Sequence, residues 1–319
     1  MRDGLVWMLW LAIAVSAPFF AGQHLLYNIG IVATTAAIVS GLTLISGVGG
    51  LISIAQSAFV AIGCYCAVLL NLHLGIPMLI GIPIAAAVSG AVGWLLGFLC
   101  LRLDGHFLAL VTLAFSGIVH YAIINLDIAG GAVGLAVPTV TLFGFVMDSP
   151  MAIYVITVVA SGLTLWFIGL LINSRYGRVL RALRQSEIAA VSLGVDRRSL
   201  RTMALATSAV AGGFAGSFQM LQVTYLDPHQ FTIVSSVFYI AIMVVGGMRS
   251  VHGAIIGAAI FVFVPEFLSG LETYMAFILF LLVTVFIVIM PDGLASIFSV
   301  PGRISRWISS RFERKNKNA

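Results

Sequence analysis

The sequence predicts an all-α polytopic membrane protein with about ten transmembrane helices and one cytoplasmic helix. Of its 319 residues, 61% are hydrophobic and 8% are charged, whereas soluble domains average roughly 45–50% and about 25%. The mean hydropathy is +1.13, and apolar runs near the length of about 20 residues that crosses a bilayer recur along the chain. Seven of the sixteen Lys and Arg residues lie in one segment, 174–201. We therefore expect a single transmembrane domain over 1–319 that contains one basic cytoplasmic segment.

Ten apolar stretches are candidates for membrane-spanning helices, and Gly or Pro interrupts several of them. Their ranges are 5–21, 25–46, 51–70, 77–101, 107–125, 151–173, 202–223, 231–247, 253–269 and 274–290. A cleaved signal peptide is the alternative for the first stretch, but no small-residue cleavage site precedes a polar start, so we favour an uncleaved span. The stretch 134–147 is short and contains Pro138, and we expect an outer loop there.

The charges of the loops predict the orientation of these spans. Lys and Arg concentrate on the cytoplasmic side of membrane proteins. With 174–201 on that side, ten spans place all sixteen basic residues inside, including a basic tail at 302–319, and both termini are cytoplasmic. The outer loops then carry only acids, namely Asp127, Asp148, Asp227 and Glu272. The pI near 9.4 therefore does not indicate a nucleic-acid partner, and we expect a protein of the bacterial inner membrane, in contact with lipid.

The basic segment has the composition of an amphipathic helix between Gly177 and Gly194. Its apolar residues share one arc of about 120°, and Gly194 suits a helix C-terminus. Glu187 projects into the apolar arc of that helix. A helix resting on lipid headgroups gains nothing from an acid there, whereas a helix docked in a partner's groove can use it to fix its register. The alternative is a headgroup-bound or intramolecular helix in which Glu187 pairs with Arg184.

The string SEIAAVSLGV at 186–195 resembles the E-A-A-x-x-x-G loop of ABC importer permeases. Glu187, Ala189, Ala190 and Gly194 stand in the matching relation, and the inserted Ile188 is the departure. Four longer blocks, at 41–65, 106–135, 174–216 and 244–268, are similar in the same order to permeases of the LivM type for branched-chain amino acids.

That resemblance implies a function and a set of partners. Such permeases pair with a second, homologous permease subunit, bind two cytoplasmic ATPase subunits and receive solute from an external solute-binding protein. The basic segment would then be the coupling helix that sits in a cleft of one ATPase. We expect coupling to the ATPase to involve Arg181, Arg184, Glu187, Ala189, Ala190 and Gly194.

The sequence lacks the common motifs for ATP hydrolysis, zinc binding and hydrolytic catalysis. Its only lysines are Lys315 and Lys317, so a G-x-x-x-x-G-K-[ST] phosphate loop is missing. We expect no cofactor in this chain, with ATP bound by the partner subunits. The three Cys lie in apolar runs without zinc-type spacing, so we expect no metal. Neither H-E-x-x-H nor G-x-S-x-G occurs, and we expect a transporter subunit rather than an enzyme.

A pathway for a small zwitterion needs hydroxyls, amides and free helix ends. We expect the pathway to be lined by Gln56, Ser57, Phe59, Thr112, Phe115, Ser116 and His120. Thr112, Ser116 and His120 share one helix face by their spacing of four, and we expect that face at the interface with the second permease. Hydrogen bonding between packed helices is the alternative role for each polar residue. For contact with the binding protein we expect Asp127, Gly130 and Gly131, the alternative being a solvated loop.

An ion-driven carrier and an intramembrane enzyme are the two alternative functional classes. An ion-driven carrier or exporter needs carboxylates or His inside the bilayer, and only His120 and Glu266 fall within the predicted spans. An intramembrane enzyme would need titratable pairs there. The sequence leaves the solute open among branched-chain amino acids, urea, short amides and a sugar.

Overall fold

The described part of the chain is almost entirely helical. The structure is a computed structural model that describes residues 22–100, 105–138, 141–142, 145–146 and 149–267, together with 278, 281, 283–285 and 294. The predicted span 5–21 and the basic tail 302–319 lie outside these residues, as does most of the predicted span 274–290. In chain order the helices are α1 Gln23–Leu42, α2 Gln56–Leu74, α3 Met78–Leu99, α4 Gly105–Asn125, α5 Pro150–Asn173, α6 Arg175–Gln185, α7 Glu187–Ser192, α8 Arg197–Met220, α9 Ile233–Gly246 and α10 Val251–Phe267.

Four two-residue strands occur at one end of the helices. They are β1 Leu135–Ala136, β2 Thr141–Leu142, β3 Phe145–Val146 and β4 Tyr225–Leu226. Strand β1 pairs antiparallel with β4, and Leu135 faces Leu226 across the pair. Strands β2 and β3 form a hairpin. The described residues of 134–147 are therefore a loop, as predicted, and β1 ties this loop to the connection between α8 and α9.

The helix ends follow local sequence signals. Helix α5 begins with Pro150 in its first turn after Ser149, where the missing N–H of proline has no cost. The carboxylate of Asp196 caps α8 by accepting a hydrogen bond from the N–H of Arg198 at 3.0 Å. Helix α2 ends at Gly75, whose φ of +64° is a left-handed conformation that glycine adopts readily.

Among the residues that the structure describes, five helical segments are long and apolar enough to cross a membrane. They are Gln23–Val48, which joins α1 to the π-helical turn Thr43–Val48, and Gln56–Leu74, Met78–Leu99, Phe107–Asn125 and Pro150–Asn173. These segments correspond to the predicted spans 25–46, 51–70, 77–101, 107–125 and 151–173. The largest shift of a boundary is at α2, which begins at Gln56 because residues 51–55 are not helical.

Among the described residues, neither of the predicted spans 231–247 and 253–269 forms a helix that is long and apolar enough to cross a membrane by itself. Helix α9 has 14 residues, about 21 Å of helix, which is shorter than the hydrocarbon core of about 30 Å. Helices α9 and α10 meet the length and composition criterion only as a pair, in which they are bent by 116°. The described part of α10 ends at Phe267, inside the predicted span 253–269.

Helix α8 is the central packing element, although it is not among the five candidate spans. Its Ala, Gly and Ser residues allow neighbouring backbones to approach closely. A methyl group added to Gly213 would lie 2.6 Å from Cβ of Ser89 on α3. Added to Gly97 on α3, it would lie 2.9 Å from Cα of Thr202. These small residues lower the hydropathy of α8, which corresponds to the predicted span 202–223 and is largely buried among the other helices.

The charges separate toward two ends of the described structure. We call the arginine end the one that holds α6, α7, the turn at Gly47 and Arg249, since Arg184 contacts Gly47 and lies close to Arg249. At the opposite end, Asn28 binds Glu266 and β1 pairs with β4. This separation matches the one that loop charges predict, with the arginine end expected to be cytoplasmic.

Candidate functional site

Three buried serine hydroxyls from three helices form one hydrogen-bonded cluster. The Oγ atoms of Ser57 on α2 and Ser236 on α9 are 2.7 Å apart, and Ser116 on α4 lies 3.2 Å from Ser57 and 3.4 Å from Ser236. The Ser57 hydroxyl donates to the carbonyl of Thr232 at 2.9 Å. Since a hydroxyl has one proton, Ser57 then accepts from its two serine neighbours. We call these three residues the serine cluster.

The serine cluster lies where two helices begin. Ser116 is near the middle of the 21-residue helix α4, so the cluster is deep within the helical layer. Helix α2 begins at Gln56 and α9 at Ile233, both beside the cluster. Serine 236 accepts a hydrogen bond from the N–H of Ser57 at 3.1 Å, and Thr232 caps α9 by accepting from the N–H of Ser235 at 3.3 Å.

Two helix N-termini therefore point their partial positive charge at one buried polar site. Free N–H groups at a helix start, together with this charge, favour an anion. Interrupted helices that begin near mid-membrane are also how transporters bind the carboxylate of a solute. In the observed conformation the hydroxyls of the serine cluster and the N–H groups of Ser57 and Ser235 form hydrogen bonds within the protein, so these donors are not available to a solute.

Thr112 fixes the extended segment that leads into α2. Its hydroxyl accepts a hydrogen bond from the N–H of Ile54 at 3.0 Å and donates to the carbonyl of Ala109 at 3.0 Å. Thr112 is buried, one turn of α4 from Ser116. The residue thus holds the non-helical segment 51–55 against α4, next to the serine cluster.

Gln56 does not join the serine cluster. Its Nε2 donates to the carbonyl of Ile38 on α1 at 2.9 Å, and its Oε1 accepts from the hydroxyl of Ser208 on α8 at 3.0 Å. The side chain is buried. Of the residues predicted to line the pathway, Gln56 is therefore directed to the opposite face of α2, where it crosslinks three helices.

The aromatic residues of the predicted pathway extend the contact between α2 and α4. The rings of Phe59 and Phe115 have centroids 5.7 Å apart, and Phe59 is fully buried. His120 is one turn beyond Ser116, with its ring 6.3 Å from that of His229. The Nδ1 atom of His120 is buried and has no hydrogen-bond partner among the described residues.

A cavity of about 500 Å³ lies between α1, α2, α8, α9 and α10. Most of its lining is apolar, with Phe238, Phe261 and Ile242 among the side chains; Ser235, the neighbour of Ser236 in the chain, is part of the lining, but the three serines of the cluster are not. Thr232, Ser236 and this cavity were not predicted from the sequence as parts of the site. The only available signal was the polar run of Thr232, Ser235 and Ser236 inside an apolar stretch.

A tight turn follows α4 at the end opposite the arginines. Asp127 is exposed, and Gly130 and Gly131 have φ values of +79° and +59°. The N–H of Gly130 donates to the carbonyl of Asp127 at 3.0 Å. Ile128 and Val133 are 64% and 77% exposed on this turn, so it presents an acid beside apolar side chains. The three residues predicted to contact a binding protein are thus together on the surface.

The basic segment forms two helices, and the prediction of one helix from Gly177 to Gly194 is wrong. Helices α6 and α7 are separated at Ser186, whose backbone is extended at φ −153° and ψ 106°. The hydroxyl of Ser186 accepts a hydrogen bond from the N–H of Ala189 at 3.3 Å. Serine favours this N-cap conformation over the helix interior. Glu187 consequently lies in the first turn of α7, where the helix dipole stabilises an acid.

Glu187 links α7 to α8. Its carboxylate binds Arg197, and its Oε2 lies 2.8 Å from Nη2 of Arg201. The expected alternative partner, Arg184, is directed elsewhere. The hydrogen bond from Arg197 is the largest cause of a lowered pKa of Glu187, and the charge of Arg201 lowers it further.

The arginines of α6 bind carbonyl groups at the ends of other helices. Arg178 and Arg181 donate to the carbonyls of Asn173 and Ile172, at 3.2 Å and 3.1 Å. Arg184 donates to the carbonyl of Gly47, at the end of the π-helical turn. Basic groups stabilise the partial negative charge of helix C-termini, so α6 is held to α1 and α5 by these contacts.

Helix α7 presents apolar side chains to the surroundings of the arginine end. Ile188 and Leu193 are 84% and 86% exposed, and Ala189 and Val191 are exposed as well. Ala190 is buried, and Gly194 is exposed with a φ of +84°. An exposed apolar group of this kind on a short, charged segment is typical of a protein contact. Ile188, the residue that departs from the plain E-A-A string, is its most prominent member after Leu193.

Among the residues that the structure describes, no group of three or more His, Cys, Asp or Glu side chains could hold a metal ion.

Similarities to known proteins cover most of the chain. A family model described as "Branched-chain amino acid transport system / permease component" matches residues 25–290. The "High-affinity branched-chain amino acid transport system permease protein LivM" of Salmonella typhimurium is 32% identical over 92% of this chain and 75% of its own length. The Escherichia coli K12 protein of the same name is 33% identical over 80% of this chain and 66% of its own length. The "Probable branched-chain amino acid transport permease protein LivH" of Methanocaldococcus jannaschii is 27% identical over 69% of this chain and 72% of its own length. No solved structure matches the chain at a significant level.

Proposed function

Because the chain belongs to the permease components of branched-chain amino acid transport systems, we propose that it is a membrane-spanning subunit of an ATP-binding-cassette importer. It would translocate branched-chain or related hydrophobic amino acids across the inner membrane. Two cytoplasmic ATPase subunits would drive it, and a solute-binding protein would deliver the solute. Family membership makes it a component of a transport system rather than a catalytic enzyme.

The serine cluster between two helix starts is the observation that carries the proposed solute class. When α9 moves away from α2, the hydroxyls of Ser57 and Ser236 and the N–H of Ser57 lose their partners. A solute carboxylate would replace those partners and would face the positive ends of both helices. The apolar cavity lined by Ser235, the residue before Ser236, offers space for a branched side chain. A neutral sugar or urea carries no negative charge to face the two helix N-termini.

The arginine end supports a separate motor. The exposed apolar residues Ile188 and Leu193 on α7 would fit an apolar groove of an ATPase subunit. Glu187, bound to Arg197 and Arg201, would transmit force from α7 to α8. Helix α8 packs against α2, the helix that carries Ser57, so force on α7 would reach that side of the serine cluster.

Two further surfaces suit the remaining partners. The prediction that the face of α4 with Thr112 and Ser116 lies at the interface with the second permease is wrong, because both residues are buried against this chain's own residues 51–55, α2 and α9. Helix α4 instead exposes Leu110, Ile118 and Tyr121, and a second permease subunit would cover this other face. The chain is similar to proteins named LivM and also to a protein named LivH, which supports a pair of homologous subunits. At the other end, the turn with Asp127, Gly130 and Gly131 would contact the binding protein.

Reconstitution tests the proposed function. The complex that co-purifies with the chain in mild detergent would be placed in lipid vesicles with its binding protein, and uptake of radiolabelled leucine would be measured with and without ATP. We expect uptake that requires ATP and is inhibited by unlabelled isoleucine and valine but not by urea or ribose. Uptake driven by a proton or sodium gradient without an ATPase would refute the proposal.

A further inference from the structure

Two glycine turns with the same sequence meet at the arginine end. The string Val-Gly-Gly occurs at 48–50, between α1 and α2, and again at 245–247, between α9 and α10. Gly50 and Gly247 have φ values of +72° and +128°. The two turns touch, because a methyl group on Gly47 would overlap the carbonyl of Met248. We call residues 47–50 the first glycine turn and 246–249 the second.

Each glycine turn is connected directly to the serine cluster. The non-helical residues 51–55 lead from the first turn to Gln56 and Ser57, and could reach at most about 17 Å if fully extended. Helix α9 leads from Ser236 to the second turn, about 15 Å of helix. A movement of the two turns relative to one another would therefore move Ser57 relative to Ser236.

Arg184 is the side chain of α6 that contacts these turns. Its guanidinium donates to the carbonyl of Gly47, and a methyl group on Gly50 would lie 2.6 Å from its Cγ. Burial of the guanidinium lowers the pKa of Arg184, and the charge of Arg249 in the second turn lowers it further. Arg184 thus binds the first turn and lies close to the second.

Arg184 is also close in sequence to the surface proposed for the ATPase. Only Gln185 and the cap Ser186 separate it from α7. A charge-assisted hydrogen bond to a carbonyl is stronger and more directional than a neutral one. Displacement of α7 would therefore pull on the carbonyl of Gly47 through a short and stiff connection.

We propose that Arg184 is a positioning residue that transmits movement of α7 to the two glycine turns and, through them, opens the serine cluster. This rests on the proposed function. It assigns Arg184 an internal contact, whereas the resemblance to other permeases implied a contact with the ATPase. A purely structural role, in which Arg184 only caps the end of α1, would leave coupling intact as long as the protein folds.

The experiment measures coupling in the reconstituted complex. Arg184→Ala should retain the ATPase subunits and their hydrolysis within about twofold, while leucine uptake per ATP falls by at least about tenfold, the scale expected for a lost hydrogen bond to a charged group. Arg184→Lys, which keeps one donor, should recover part of the loss. The control is Arg178→Ala on the same helix, which removes a bond to Asn173 and should transport normally.

A pair of glycine variants tests the same contact without removing a charge. Gly50→Ala places a methyl group against Arg184, whereas Gly75→Ala places one where no atom lies within 4 Å, at a similar φ of +64°. Both variants carry the backbone strain of a positive φ, but only Gly50→Ala should uncouple uptake from hydrolysis. If Arg184→Ala does not reach the membrane, the comparison of Gly50→Ala with Gly75→Ala tests the proposed role of Arg184 instead.

Different results overturn the two proposals. The inference about Arg184 is wrong if Arg184→Ala and Gly50→Ala transport as their controls do, or if Arg184→Ala loses the ATPase subunits while Gly50→Ala stays coupled. In both cases the proposed function stands as long as the wild-type complex shows ATP-dependent uptake. Wild-type complex that hydrolyses no ATP and takes up no leucine would overturn the proposed function itself.

Discussion

Ser57 and Ser236 are 179 positions apart in the chain, and their hydroxyl oxygens lie 2.7 Å from each other. This contact joins the first turns of α2 and α9, two helices that begin deep within the protein. The cluster connects to the arginine end through residues 51–55 on one side and α9 on the other. Its position makes the separation of these two helices the step that an importer subunit would have to control.

Replacement of Ser236 tests the solute site. Ser236→Ala leaves the N–H of Ser57 without its acceptor and removes one donor for a carboxylate. We expect leucine uptake to lose about tenfold in kcat/KM, the size of effect of one buried hydrogen bond. The measurement is initial uptake as a function of leucine concentration in vesicles. Ser217→Ala is the control, because Ser217 is equally buried but bonds to Gly213 within its own helix.

Reversal of the charge at Glu187 tests the link between α7 and α8. Glu187→Arg would face Arg197 and Arg201 with a like charge and detach α7. We expect the variant to reach the membrane but to lose ATP-dependent uptake and to co-purify with much less ATPase, because α7 is no longer held in its position against α8. Glu187→Gln should have an intermediate effect. Normal uptake by Glu187→Arg would contradict the proposed role of the linkage.

The Glu187 linkage should depend on pH in a defined direction. Its pKa is lowered below the ordinary value of 4.5, so ionised Glu187 stabilises the folded protein above that value. The stabilisation should be lost as the pH falls through the lowered pKa. We expect the difference in thermal midpoint between wild type and Glu187→Gln to be constant from pH 8 to about 5 and to shrink below the ordinary pKa. A difference that grows toward acid would have the wrong sign.

The exposed apolar residues of α7 should matter for assembly and not for folding. Ile188 is 84% exposed, so Ile188→Asp should change the thermal midpoint of the isolated chain very little. It should nevertheless reduce the amount of ATPase that co-purifies. Val133→Asp is the control, because Val133 is 77% exposed on the turn after α4. Equal ATPase recovery from both variants would exclude α7 as the docking surface.

The sequence predicted the fold class and most helix positions because apolar length and loop charge determine both. It failed where two signals competed. Helical periodicity continues through Ser186, but the hydroxyl of Ser186 caps a new helix and separates α6 from α7. The helix expected at 231–247 is found at Ile233–Gly246, but its 14 residues are too few to cross the hydrocarbon core alone.

The candidate site was only partly predictable. Ser57, Thr112 and Ser116 were found from a glycine break and from a spacing of four along one helix. Ser236 was missed because its contact with Ser57 is made in three dimensions, between distant parts of the chain. Gln56 has the residue type of a pathway amide, yet it bonds to Ile38 and Ser208. The direction in which a side chain points from the start of a helix could not be derived from its identity.

Thiol accessibility at Ser236 tests the account most directly. In a chain whose Cys64, Cys66 and Cys100 are replaced by Ala, Ser236→Cys would be labelled in the reconstituted complex with a membrane-impermeant reagent, and Ser217→Cys would be the buried reference. The account predicts slow labelling at rest, labelling at least about tenfold faster during ATP-driven turnover with loaded binding protein, as expected for a shift of a closed state toward an open one, and protection by leucine. Labelling of Ser236→Cys that ATP does not change, or that equals labelling of Ser217→Cys under all conditions, would contradict it.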